Sequence, residues 1–347
     1  MNAEPGHAAM LLDEVLAPIA GAMADPAVED VALNGPGAAW VRRAAWDRVA
    51  APSFDFDTLA AAAVLCCALR QHDIGRSAPM GGGDLHTGHR FQAVLPPAVP
   101  GGTVSLTFRK PSAEVAPISA IPRRYGTAEW NAWEARRTER RRDSADLLAL
   151  YDGGDVVAFL RAVVRSRRTP VICGATGAGK SYLGKTLLAE VGDAERIVTI
   201  EDALEFVIRQ PNNVRLLFGA GGEGAVKPAD CLHAALRMRP DRIPVQELRE
   251  PHSAWVYLNE VSAGHPGSPT TIHGETAADA ARRLFTLLKG GAGTGISDDV
   301  LIGMMGAAVD VIVPIGTDGS TRHLGAVWFA EDAARRGEAV ADLLRSA

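Results

Sequence analysis

Residues 170–181 read Pro170-Val171-Ile172-Cys173-Gly174-Ala175-Thr176-Gly177-Ala178-Gly179-Lys180-Ser181. An apolar run enters a glycine-rich turn. Beyond it, Tyr182 to Val191 carries apolar residues at helical spacing. The order is strand, glycine loop, helix, and the spacing is G-x-x-x-x-G-K-[ST], the phosphate-binding loop.

The residue types follow from the chemistry of a nucleoside triphosphate, which presents crowded anionic oxygens. Glycines let the backbone close around them because no Cβ blocks unusual dihedral angles. Inward N–H groups and a helix N-terminus then supply positive potential. Gly174, Ala175, Thr176, Gly177, Ala178 and Gly179 form the cradle. Lys180 brings a point charge to the β and γ phosphates, and the Ser181 hydroxyl suits a Mg²⁺ ligand. ATP and Mg²⁺ are the expected cofactors.

With 347 residues the chain is long for one core, and about two domains are expected. A net charge of −5 gives no sign of a nucleic-acid coat, although it leaves room for a local basic channel. The cysteines Cys66, Cys67, Cys173 and Cys231 show neither C-x-x-C pairing nor zinc-finger spacing, so reduced buried thiols are expected. Met1 to Pro5 lacks a basic segment ahead of an apolar one, and the longest apolar run, Leu59 to Leu69, is too short for a bilayer. The expectation is a cytoplasmic protein, at most peripheral to a membrane.

Along the chain, Ala8 to Met23 reads as one helix. Val28–Leu33 and Ala38–Val41 read as strands about a glycine/proline turn, and Asp57–Arg70 reads as a helix capped by Ser53, Asp55 or Asp57. Met80–Gly88 reads as a loop, and Arg90–Leu95 with Thr103–Phe108 as two strands. Residues 1–112 then form an α+β domain. Residues 113–154 form a linker with a helix that carries Trp130, Trp133 and the basic run Arg136–Arg142. Residues 155–347 alternate strands and helices, the mark of a mostly parallel α/β sheet. Val309–Ile315 and Leu324–Phe329 read as a hairpin across Gly316-Thr317-Asp318-Gly319.

Three segments after the loop carry acids or histidines at strand ends, where a parallel sheet gathers its ligand contacts. Ile200-Glu201-Asp202-Ala203-Leu204-Glu205 offers carboxylates to position water or hold Mg²⁺ through its waters. Ile243-Pro244-Val245-Gln246-Glu247 is an apolar strand ending in an acid, which suits a Walker B role. Glu247 would bind the Mg²⁺ shell or orient water. The third segment, residues 262–274, contains His265 and ends in His273, a candidate sensor of the γ phosphate.

These motifs in this order resemble the secretion-superfamily ATPases, and among them the VirB-type traffic ATPases of type IV secretion and conjugation. Val31–Gly37, Gly88–Gln92 with Leu95-Pro96-Pro97, and Phe108-Arg109-Lys110-Pro111 are similar to that family as well. The resemblance implies a RecA-like P-loop ATPase domain preceded by a smaller α+β domain, in a homohexameric ring. It assigns Glu201 and Glu205 to an acidic box, Glu247 to Walker B and His273 to a histidine box. Arg90 and Arg109 fall at amino-domain arginines that reach the phosphates, a task for which a planar guanidinium is suited. It also implies inner-membrane secretion partners, a protein or nucleoprotein substrate and contact with the cytoplasmic face of the inner membrane. The family usually has a small or aliphatic residue at Pro244 and glycine at Gln246 and Glu250. The four-cysteine zinc insertion of type II relatives is absent. A pilus motor and a low-turnover docking subunit are the alternative readings. A nucleic-acid motor is disfavoured by charge and by an aromatic content of only 5%.

Overall fold

The computed structural model describes residues 6–111, 117, 119, 145–219, 226–261, 264–292 and 295–346. Most of the expected linker, including Trp130, Trp133 and Arg136–Arg142, lies outside the described residues. Residues 145–152 are helical.

The first part of the chain forms a six-stranded antiparallel sheet. Its strands are β1 (Asp30–Leu33), β2 (Gly37–Arg42), β3 (Trp46–Ala51), β4 (Met80–Asp84), β5 (Arg90–Val94) and β6 (Ser105–Arg109), in the order β3-β2-β1-β6-β5-β4. Leu33, Phe91, Leu106 and Phe108 pack on Leu59 of α3 (Phe56–Ala68) and on Leu12 of α1 (His7–Val15). The α3 helix starts at Asp55, whose side chain accepts from the Thr58 N–H at 2.7 Å. The single helix expected over Ala8–Met23 is instead broken, with a 60° bend between α1 and residues 17–24, which end in α2 (Ala20–Ala24). Pro18 lies in the short 3₁₀ turn at the break, where it cannot donate the next helical hydrogen bond.

The loop expected over Met80–Gly88 is also corrected, because Met80–Asp84 is an edge strand paired to β5. Its glycines hide the strand pattern yet are required by packing. A Cβ on Gly81 would lie 2.4 Å from Cys67 Sγ, and one on Gly83 would lie 2.8 Å from Arg70 Cγ.

The second part begins with α4 (Val156–Arg165) and β7 (Pro170–Gly174), then α5 (Lys180–Leu188), β8 (Ile197–Glu201) and β9 (Asn213–Leu217). Next come α6 (Pro228–Leu236), α7 (Pro251–Val256), β10 (Thr270–Ile272), α8 (Ala277–Gly291), α9 (Asp298–Ala308) and β11 (Val311–Asp318). The strands β12 (Thr321–Leu324) and β13 (Trp328–Phe329) return along β11, and two short helices follow. The hairpin partners match the expectation, but the turn is Gly319-Ser320, with Asp318 opposite Thr321 and Gly319 at φ +59°. The left-handed residue sets the tight turn two positions later than composition suggests.

Residues 243–245 lie between β8 and β10, joined to them by parallel bridges from Val245 to Ile200 and Thr270. They fill a central position in the sheet without forming a full strand, and Pro244 accounts for this. Val198 N–H donates to the Arg242 carbonyl at 3.2 Å and Ile200 N–H to the Pro244 carbonyl at 2.9 Å. The N–H that this register would send to the Val198 carbonyl belongs to Pro244, which has none.

The two parts meet around Arg196, which is fully buried. Its guanidinium donates to Asn34 Oδ1 at 2.9 Å, Thr107 Oγ1 at 3.3 Å and the Met238 carbonyl at 3.0 Å. It also donates to Asn212 Oδ1 and lies 5.2 Å from the centre of the Trp46 ring. Burial pushes its pKa down to about 9. Among the described residues no single helix is long and apolar enough to cross a membrane.

Replacing Pro244 by valine should restore the missing ladder bond and raise the unfolding free energy by about 1 kcal/mol. Urea denaturation of the two proteins reads this directly. An unchanged or lower midpoint would show that the fixed proline φ outweighs the lost bond.

Candidate functional site

β7 delivers the loop and α5 receives it. A Cβ on Gly174 would stand 2.7 Å from the Ile315 carbonyl, so only glycine lets the loop leave the sheet beside β11. Gly177 and Gly179 hold φ of +78° and +104°, a region that glycine enters freely. Lys180 then opens α5 with its side chain folded back over the loop. Its Nζ donates to the Gly174 carbonyl at 2.9 Å and the Ala175 carbonyl at 3.1 Å, and the residue is only 8% exposed. Burial lowers the Lys180 pKa, and the charge of Glu247 partly opposes that shift.

A cavity of about 330 Å³ lies over the loop. Thr176, Lys180, Ser181, Glu205, Glu247 and His273 all line it, so residues from four separate motifs converge there. The reason is topological, since β7, residues 243–245 and β10 are parallel neighbours and their carboxyl ends share one sheet edge. His273 follows β10 directly, and α8 fixes its loop through a capping box between Thr276 and Asp279.

Glu247 is flanked by Arg249 at one oxygen and His273 at the other. Arg249 donates to Oε2 at 2.7 Å through Nε and approaches it to 2.6 Å with Nη2, and it also bonds Asp202 at 2.8 Å. His273 Nε2 stands 2.9 Å from Oε1, within ion-pair distance, and Oε1 is sealed from solvent. Glu247 and Ser181 line the cavity together with the loop, a carboxylate and a hydroxyl that fit a hydrated divalent cation or an attacking water.

Glu201, expected in the acidic box, is not among the residues that line this cavity. Its buried carboxylate takes a two-pronged bond from Arg215 at 2.9 and 2.6 Å and a bond from Thr199 Oγ1 at 2.6 Å. It also accepts the N–H groups of Glu205 and Phe206, each at 3.0 Å. It therefore shapes the loop that carries Glu205. Arg90 and Arg109 also lie away from this cavity within the chain. They face each other across β5 and β6, and Arg90 is exposed with Nε 3.7 Å from Asp84. Arg109 pairs in register with Asp30, which lies 3.6 Å from Arg239. Arg239 precedes residues 243–245, whereas Glu247 follows them, so the two arginines sit toward the opposite sheet edge.

Other site residues were not singled out as such in the sequence. Arg322 of β12 reaches the loop, with Nη2 3.4 Å from the Gly177 carbonyl. Tyr182, Gln246 and Thr271 line the cavity with the expected residues. Arg322 becomes visible only once β12 folds back beside the loop. Gln246 lies in the quoted Walker B segment, but its side-chain direction is not readable there.

His265 does not line the cavity. Burial holds its imidazole below the usual histidine range, with a hydrogen bond that the ring donates to the Pro240 carbonyl opposing the shift. The unfolded chain therefore binds the proton first as pH falls. Stability at this residue is full above about pH 6.5 and declines as pH drops toward the lower folded pKa. His265→Asn should lose less unfolding free energy than the parent between pH 7 and pH 5, as read by denaturation at each pH. Parallel losses would remove His265 from the acid response.

The profile of the type II/IV secretion system protein family matches residues 134–313. VirB11 of Rhizobium radiobacter is 43% identical over 333 residues, covering 95% of this chain and 97% of that protein. VirB11 of Agrobacterium fabrum is 45% identical over 334 residues, covering 95% and 96%. The crystal structure of the Brucella suis VirB11 ATPase in complex with sulphate superposes with a TM-score of 0.85 at 30% identity, covering 95% of this chain and 97% of that one. The chain therefore belongs to the type II/IV secretion system protein family, in its VirB11 branch of type IV secretion ATPases.

Proposed function

We propose that the chain is a homohexameric motor that hydrolyses Mg²⁺-ATP to drive substrate translocation or pilus assembly in a type IV secretion or conjugation apparatus. The observation that carries this reading is the convergence of Lys180, Ser181, Glu205, Glu247 and His273 on one cavity. Lys180 and the loop N–H groups hold the β and γ phosphates. Ser181 and Glu247 would hold Mg²⁺, which when bound neutralises charge on the phosphate oxygens. Glu247 orients the attacking water. The water oxygen bonds to the γ phosphorus as the bond to ADP breaks, and the water proton leaves with inorganic phosphate. His273, beside Glu247, registers whether the γ phosphate is present. Inner-membrane secretion proteins and a protein or nucleoprotein substrate are the partners this work requires, at the cytoplasmic face of the inner membrane.

The placement of Arg90 and Arg109 supports a ring with shared sites, because a neighbouring copy could present them to a cavity that their own chain does not let them line. The test is steady-state ATP hydrolysis across protein concentration, with molar mass from light scattering on the same samples. Turnover that rises as a hexamer-sized species forms, and that disappears in Lys180→Ala, is expected. Nucleotide binding without turnover at any concentration would favour a docking subunit.

Two variants refine this. Glu247→Gln should keep ATP affinity and lower kcat about 100-fold or more. Equal turnover in variant and parent would remove Glu247 from the chemistry. Mixing inactive Lys180→Ala with inactive Arg109→Ala should restore activity, because each mixed ring contains sites with an intact loop and an intact neighbouring arginine. A mixture as inactive as either component would place Arg109 outside shared sites.

A further inference from the structure

Gln246 stands where the resemblance leads one to expect glycine, beside the acid assigned to Walker B. Its side chain is only 5% exposed, and it lines the same cavity as Lys180, Ser181 and Glu247. Its backbone is locked on both sides. The Gln246 N–H donates to the Ile200 carbonyl at 2.9 Å, and its carbonyl accepts from Thr271 Oγ1 at 2.7 Å.

The side-chain amide has a fixed direction. Oε1 accepts the Asp202 backbone N–H at 2.9 Å, and only an oxygen can accept there, so the amide cannot be reversed. The NH₂ group is therefore the other prong. Nε2 has no acceptor among the described residues, and it is not among the side-chain atoms sealed from solvent. A side chain otherwise packed into the protein thus leaves a two-hydrogen donor unpaired on the nucleotide cavity. The NH₂ group is therefore open to the cavity, where a phosphate oxygen can replace the solvent that it otherwise meets.

We propose that Gln246 is a further catalytic residue, whose side-chain NH₂ donates to the terminal phosphate of bound ATP and to the charge that builds on it during hydrolysis. This rests on the ATPase reading above and adds a residue to it. An amide cannot take a proton from water, so its role differs from that of Glu247. Loss of the terminal phosphate removes the acceptor, and the partner on the other prong is the backbone of Asp202. The Asp202 carboxylate holds Arg249, and Arg249 holds Glu247. Gln246 therefore ties phosphate occupancy to the acidic loop and the Walker B acid through one closed chain of bonds.

Gln246→Glu and Gln246→Met, made in the full chain, test this. The glutamate keeps the acceptor for Asp202 and the side-chain shape but removes the donor. The glutamate also sets a negative charge beside the phosphates, so the discriminating readout is Gln246→Met, in which a purely structural Gln246 would change affinity for ADP and for ADP with beryllium fluoride alike. The expected result is a kcat down about 100-fold in both variants. Affinity for ADP should stay within a few-fold of parent in Gln246→Met, while affinity for ADP with beryllium fluoride, which mimics the terminal phosphate, falls at least tenfold. Parental kcat and parental beryllium fluoride affinity in both variants would overturn the proposal, as would faster hydrolysis in Gln246→Met. Absence of Lys180-dependent hydrolysis in the parent itself would instead overturn the ATPase reading on which it rests.

Discussion

A nearly buried ammonium governs this molecule. Lys180 is enclosed at the start of a helix with two backbone carbonyls as its only hydrogen-bond acceptors among the described residues, and burial already weighs against its charge. Such a cation is poorly matched until an anion arrives. The left-handed glycines and the crowding at Gly174 serve to hold the loop open beside it. The neighbouring strands then bring acceptors and donors to the space above.

Those strands do so with an imperfect sheet. Residues 243–245 occupy a central position but lack one ladder bond because Pro244 has no N–H. The segment is held instead by the bonds around it, from Val245 to Pro269, from Gln246 to Ile200 and from Leu248 to Thr271. Just beyond the defect, Gln246 and Glu247 both line the cavity, although successive residues in a regular strand face opposite sides. The departure from regular pairing is thus what allows two adjacent side chains to serve one site.

The junction between the two sheets follows a different logic. Arg196 is a fully buried cation satisfied by neutral oxygens from both halves of the chain and by the face of Trp46. These bonds tie residues of both halves to one side chain, so this contact specifies how the amino-terminal sheet is seated. That seating directs Arg90 and Arg109 away from their own loop. β8 begins beside Arg196 and ends at Glu201, whose carboxylate braces the loop bearing Glu205. One strand therefore connects the domain junction to the nucleotide cavity.

The phosphate loop, the order of the motifs behind it, the α/β class of the second half and most strands were legible in the sequence. They rest on local patterns of apolar spacing, glycine and acid at fixed offsets, which need no knowledge of distant residues. The break at Pro18, the glycine-rich strand β4 and the turn at Gly319-Ser320 were less legible, because composition alone ranks them wrongly against the packing they serve. Tertiary structure alone decided that Glu201 is a brace while Glu205 faces the cavity, that Arg322 reaches the loop and that Gln246 presents a donor. Each of those outcomes depends on which way a side chain turns and which remote group meets it. That information arises only when strands far apart in the chain are brought to one edge.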